Sequence, residues 1–90
     1  MRKEDLFRKN HLLGVEFDRY LLEHPEALDQ IPDGAEIYFL PEEDQDLLQE
    51  NLKIAEAQKK ENRWIVLVRI GKISPPRSRL QDVHLEAIAL

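Results

Sequence analysis

The sequence contains no cysteine. A disulfide framework and thiolate chemistry are both excluded, and the composition suits a reducing compartment. Glycine is scarce, with three residues in ninety. Gly71 stands alone after an apolar run, so there is neither a dinucleotide fingerprint nor a P-loop. No apolar run approaches the roughly 18 residues that a membrane span requires. The opening Met1-Arg2-Lys3-Glu4-Asp5 leads into mixed charge, not into the apolar core of a signal peptide. The chain is expected in the cytoplasm, with no membrane association.

Other absences narrow the chemistry. His11, His24 and His84 lack mutual metal-ligand spacing. Aromatic residues make up 7% and are not interleaved with basic ones, unlike the stacking platforms of single-strand binders. Tyr20, Tyr38 and Phe39 read as core. There is no internal repeat and no low-complexity segment. No cofactor and no resident metal are expected.

What the sequence does contain is charge, at 34% of residues, beside an ordinary apolar fraction of 42%. Such a chain folds and is very soluble. Its length makes one domain, residues 1–90, with a small core that a second subunit would help complete. The net charge of −5 is unevenly spread. Residues 1–62 hold 8 Lys/Arg against 16 Asp/Glu, a balance of −8, while residues 63–90 hold 5 against 2, a balance of +3. The acidic body argues against nucleic acid, and the basic C-terminal third leaves room for a local anion site.

The run Trp64-Ile65-Val66-Leu67-Val68-Arg69-Ile70, closed by Gly71, reads as a strand buried on both faces. Before it, Leu6, Leu13, Phe17, Tyr20 and Leu21 recur at helical spacing within residues 4–23. Gly14, inside that pattern, is either tolerated at about 1 kcal/mol or serves close packing. His24 precedes Pro25 and ends the helix, because the residue before proline avoids helical angles. Pro25 then opens a short helical turn. Ile31-Pro32-Asp33-Gly34 is a turn. Residues 35–40 form a strand stopped by Pro41. A helix follows from Pro41 or Asp44 to about Lys60, with Glu42, Glu43, Asp44 and Asp46 at its positive end. Glu61, Asn62 and Arg63 form the loop into the next strand.

Strand, helix, strand with such a crossover is a βαβ unit, which makes the two strands parallel and the connection right-handed. The fold class is α/β: a small single domain, an N-terminal helix, the βαβ unit, and a C-terminal strand or short helix. For residues 83–90 the alternation of Val83, Leu85 and Ala87 favours the strand over a helix capped by Asp82. Exposed edges leave the sheet unfinished, and a homo-oligomer, dimer or higher, is the expected supplement.

Parallel strands end side by side, and ligands of open α/β sheets bind at that edge. Here it brings Glu42, Glu43, Asp44 and Asp46 toward a proline loop carrying Lys72, Ser74, Arg77, Ser78 and Arg79. Guanidinium forks and hydroxyls match phosphate oxygens; alternatively the arginines pair with the acidic helix start and pin the loop. The acidic cluster could serve Mg²⁺-dependent hydrolysis, but metal carboxylates converge from separate elements and these four lie within five residues. A solvated helix start explains them better.

Three segments are familiar together: EFDRYLLEHPE at residues 16–26, IPDGAEIYFLPEED at 31–44 and VRIGKISPPRSRLQDV at 68–83. With them the chain resembles a family of short, stand-alone prokaryotic proteins classed as a domain of unknown function. The resemblance spans nearly the whole chain and implies a small intracellular protein; it brings no activity. Lacking a convergent catalytic set, the chain is expected to be a non-catalytic interaction module. It would self-associate and bind a protein partner, for example a neighbouring gene's product as in toxin–antitoxin pairs. The alternatives are a phosphate- or nucleotide-binding module on residues 72–79, and a Mg²⁺-dependent hydrolase on Glu42–Asp46.

Overall fold

Helix α1 runs from Lys3 to Glu23 in a computed structural model that describes residues 1–59 and 63–89. Glu4 and Asp5 lie in its first turn, where negative charge meets the positive end of the dipole. It stops where Pro25 requires: His24 caps it, its amide donating to the Tyr20 carbonyl at 2.8 Å. Pro25 then opens a 3₁₀ turn, Pro25–Gln30. Gly34, at φ +75°, takes the left-handed angle of the turn into the sheet.

Strand β1 spans Glu36–Pro41, helix α2 spans Gln45–Ala57 and strand β2 spans Ile65–Ile70. The two strands pair in parallel, from Glu36 opposite Ile65 to Pro41 opposite Ile70. The crossover through α2 dictates this, because a tight hairpin is impossible at that separation. Helix α2 ends at Ala57 rather than near Lys60, with the Gln58 amide closing on Ile54 and Ala55. The loop expected at Glu61 and Asn62 lies outside the described residues, as does Lys60.

The core sits where α2 packs along β1. Leu40 and Leu47 are its most deeply buried side chains, joined by Leu13 and Ala55. Each leucine contributes about 2 kcal/mol by leaving water. From α1, Phe17 meets Phe39 edge-on, with ring centroids 5.6 Å apart and planes at 74°. Phe39 and Tyr38 are half-buried, as core residues of a thin sheet should be, whereas Tyr20 is exposed and packs on the His24 ring. A β-carbon at Gly14 would meet nothing within 4 Å, so that glycine is tolerated and serves no close approach.

Two further expectations are corrected. Strand β2 is not buried on both faces: Leu67 and Arg69 are exposed, its other residues are half-buried, and Trp64 before it is 65% exposed. Among the described residues the sheet has two strands, and α2 packs along β1, which leaves β2 little covered. The C-terminal segment is neither strand nor helix over residues 83–89; Leu90 lies outside the described residues. Its alternation is that of a strand, but a strand exists only against a neighbour. From Gly71 to Ala89 every residue is exposed.

Candidate functional site

The parallel register carries the C-terminal ends of both strands to one edge of the sheet. The Glu42 amide donates to the Ile70 carbonyl at 2.8 Å, so the acidic segment after β1 and the basic segment after β2 start side by side. They then part. Among the described residues no ion pair joins Lys72, Arg77 or Arg79 to Glu42, Glu43, Asp44 or Asp46. Lys72, Ser74, Arg77, Ser78 and Arg79 are all exposed, and Ser78 Oγ accepts from the Leu80 amide at 3.2 Å. The pinning of the loop by the acidic helix start is thus not formed within one chain.

Asp44 shows why. It is the N-cap of α2, and its Oδ1 accepts the Leu47 amide at 3.2 Å. Its Oδ2 accepts Lys9 Nζ of α1 at 2.7 Å. The Lys9 hydrogen bond first, and the Leu47 amide second, hold the carboxyl below its ordinary pKa. Both oxygens therefore have protein partners, while Glu42, Glu43 and Asp46 stay exposed. Among the described residues no three His, Asp or Glu side chains are grouped to hold a metal ion.

Sequence reasoning missed the side chains that join α1 to the βαβ unit. Asn51 is 2% exposed. It exchanges two hydrogen bonds with Asn10, at 3.0 and 2.8 Å, and its Nδ2 also donates to the Phe39 carbonyl at 2.8 Å. That carbonyl belongs to the edge of β1 facing away from β2, so the amide takes the place of a neighbouring strand. A signal existed: Asn10 lies between Leu6 and Leu13 on α1, and Asn51 between Leu47 and Ala55 on α2. A polar residue on an apolar stripe needs a partner.

On the sheet, Glu36 receives the Tyr38 hydroxyl at 2.8 Å and Arg63 Nη1 at 3.1 Å. Burial first, then the hydrogen bond to Glu36, raises the Tyr38 pKa. An open groove of about 400 Å³ lies between α1 and β1, lined by Val15, Phe17, Ile37 and Phe39 together with polar residues such as His11 and Asp18. It is shallow and mostly apolar, without a buried polar group to orient a ligand.

The Family of unknown function (DUF5647) matches residues 5–83. The chain belongs to this family. No curated protein and no solved structure matches it. Family membership therefore assigns no chemistry to the sheet edge. No helix among the described residues is long and apolar enough to cross a membrane.

Proposed function

We propose that this chain is a non-catalytic interaction module that self-associates and binds a protein partner. The supporting observation is its surface. The single chain exposes 8109 Å², whereas a folded monomer of this mass exposes about 5,500 Å². The excess of roughly 2,600 Å² per chain, about 5,200 Å² for two chains, is at the upper end of obligate interfaces, which bury about 2,000–5,000 Å² or more in total. Large apolar side chains make up part of that excess, with Leu22 83% exposed on α1 and Leu80 77% exposed after β2. The cysteine-free composition suits a cytoplasmic setting.

Sedimentation velocity across micromolar to millimolar concentration tests the reading. The expected particle is a dimer or larger of the 10.6 kDa chain. Trp64 supplies a second readout, as the sole tryptophan and an exposed one. Its emission should shift to the red on dilution, as the interface opens. A monomer at every concentration, with invariant emission, would overturn the reading of self-association.

A further inference from the structure

We infer that the C-terminal segment from Val83 to Ala89 is an exchange arm, adding as a strand to the open edge of β2 in a second copy of the chain. The inference rests on the self-association reading and names the element that carries it.

The edge is defined by the ladder. Glu36 N–H donates to the Trp64 carbonyl and Glu42 N–H to the Ile70 carbonyl. In that parallel register, the backbone groups of even-numbered β2 residues face β1. Those of Ile65, Leu67 and Arg69 turn the other way. The sheet has two strands among the described residues, so these groups have no strand beside them. The opposite edge differs, because Asn51 occupies the Phe39 carbonyl there.

The arm has a strand's pattern and no place in its own chain. Val83, Leu85 and Ala87 alternate with His84 and Glu86. Leu85 is 95% and Ile88 75% exposed. Asp82, at φ 52°, bends the backbone immediately before the arm; aspartate tolerates that angle better than most residues. Between β2 and the bend stand Pro75 and Pro76, which stiffen the connection toward an extended polyproline form. The result is a molecule 71 Å long with a radius of gyration of 18.4 Å, against about 12 Å for a compact chain of this length.

The arm is exposed along its whole length in its own chain, and charge is compatible with a second copy as the receiver. The connection carries Lys72, Arg77 and Arg79 with no acidic residue before Asp82. It would cross to a body whose residues 1–62 have a balance of −8, from 8 Lys/Arg and 16 Asp/Glu. Each chain gives one arm and receives one; when the two exchanges are related by a two-fold axis the contact is isologous and closes as a dimer.

The test uses the full-length protein and Leu85→Asp. Leu85 touches almost nothing in its own chain, so the variant should keep the helical circular dichroism of the wild type. We expect its dimer dissociation constant to rise by at least about tenfold, equivalent to about 1.4 kcal/mol. A wild-type dimer left undisturbed by the variant would overturn the arm and leave self-association standing. A wild-type monomer would overturn both. A monomer whose Ile65, Leu67 and Arg69 amides resist hydrogen exchange would show the arm folded onto its own sheet, and would overturn exchange. As a second measurement, the cysteine-free background allows Leu67→Cys and Leu85→Cys chains to be mixed. A short bis-maleimide should link one to the other; absence of that heterodimer in a dimeric sample would overturn the arm.

Discussion

Asn51→Ala should be the most damaging single change among the polar residues. The Asn51 amide supplies three hydrogen bonds at once, two with Asn10 and one to the Phe39 carbonyl. Truncation leaves the Phe39 carbonyl without its donor in the core, where an unmet polar group costs about 1–3 kcal/mol. Asn10 is less enclosed and recovers part of its loss from water. The net expectation is about 2–3 kcal/mol of destabilisation. For a domain of this size 1 kcal/mol is roughly 4–8 °C, so Tm should fall by about 10–20 °C. Asn10→Ala, which leaves the Asn51–Phe39 bond in place, should cost only about 1 kcal/mol. The double variant should then lose less than the sum, because both single changes remove the same amide pair. Urea unfolding at one fixed protein concentration measures all three, the fixed concentration being needed because association would add to apparent stability. An Asn51→Ala variant within about 0.5 kcal/mol of wild type would refute the reasoning, since surface substitutions alone stay in that range.

Two glycines should respond to the same substitution with opposite signs. Gly34→Ala forces a side chain to φ +75° and should cost about 1 kcal/mol, whereas Gly14→Ala, in a helix with nothing within 4 Å of the new methyl, should gain about 1 kcal/mol; thermal unfolding reads both. Asp44→Asn keeps a capping acceptor but removes the charge opposite Lys9, a partly exposed pair worth about 0.5 kcal/mol after solvent screening. The folded carboxyl titrates below its unfolded value, so the charged form's contribution is complete above about pH 5 and is lost as pH falls through the folded pKa. The gap between wild type and Asp44→Asn should therefore be flat from neutral pH to about pH 5 and close below about pH 4; a gap that persists in acid would refute the ion pair.

The βαβ unit was legible because its signals are local. Pro41 and Gly71 close two apolar runs, and an acidic helix start lies between them. The parallel pairing then follows from the crossover alone. The limits of that reading are tertiary. Asn10 and Asn51 lie 41 residues apart, and nothing in either neighbourhood names the other. Each is visible only as a polar residue on an apolar stripe. The misjudged burial of β2 has a different origin. Its hydrophobicity says that the strand should be covered, but not by what, and a run of aliphatic residues reads the same whether its cover is its own chain or another.

The charged edge follows the same logic. Sequence placed the acidic and basic segments at one end of the sheet, and the register from Glu36–Ile65 to Pro41–Ile70 puts them there. Adjacency along a sheet edge does not choose partners, however. Asp44 needs one oxygen for the Leu47 amide, which points its other oxygen toward α1, where Lys9 stands. Capping geometry thus decided the ion pair before any arginine of the basic segment competed for it. The cations left exposed at Lys72, Arg77 and Arg79 belong to a stretch whose neighbours are also exposed apolar residues, Ile73 and Leu80 among them. A phosphate site would hold its cations around a concave surface, with their stems packed. Cations standing among exposed apolar groups and prolines instead suit the proposed reading, in which this segment meets a protein surface.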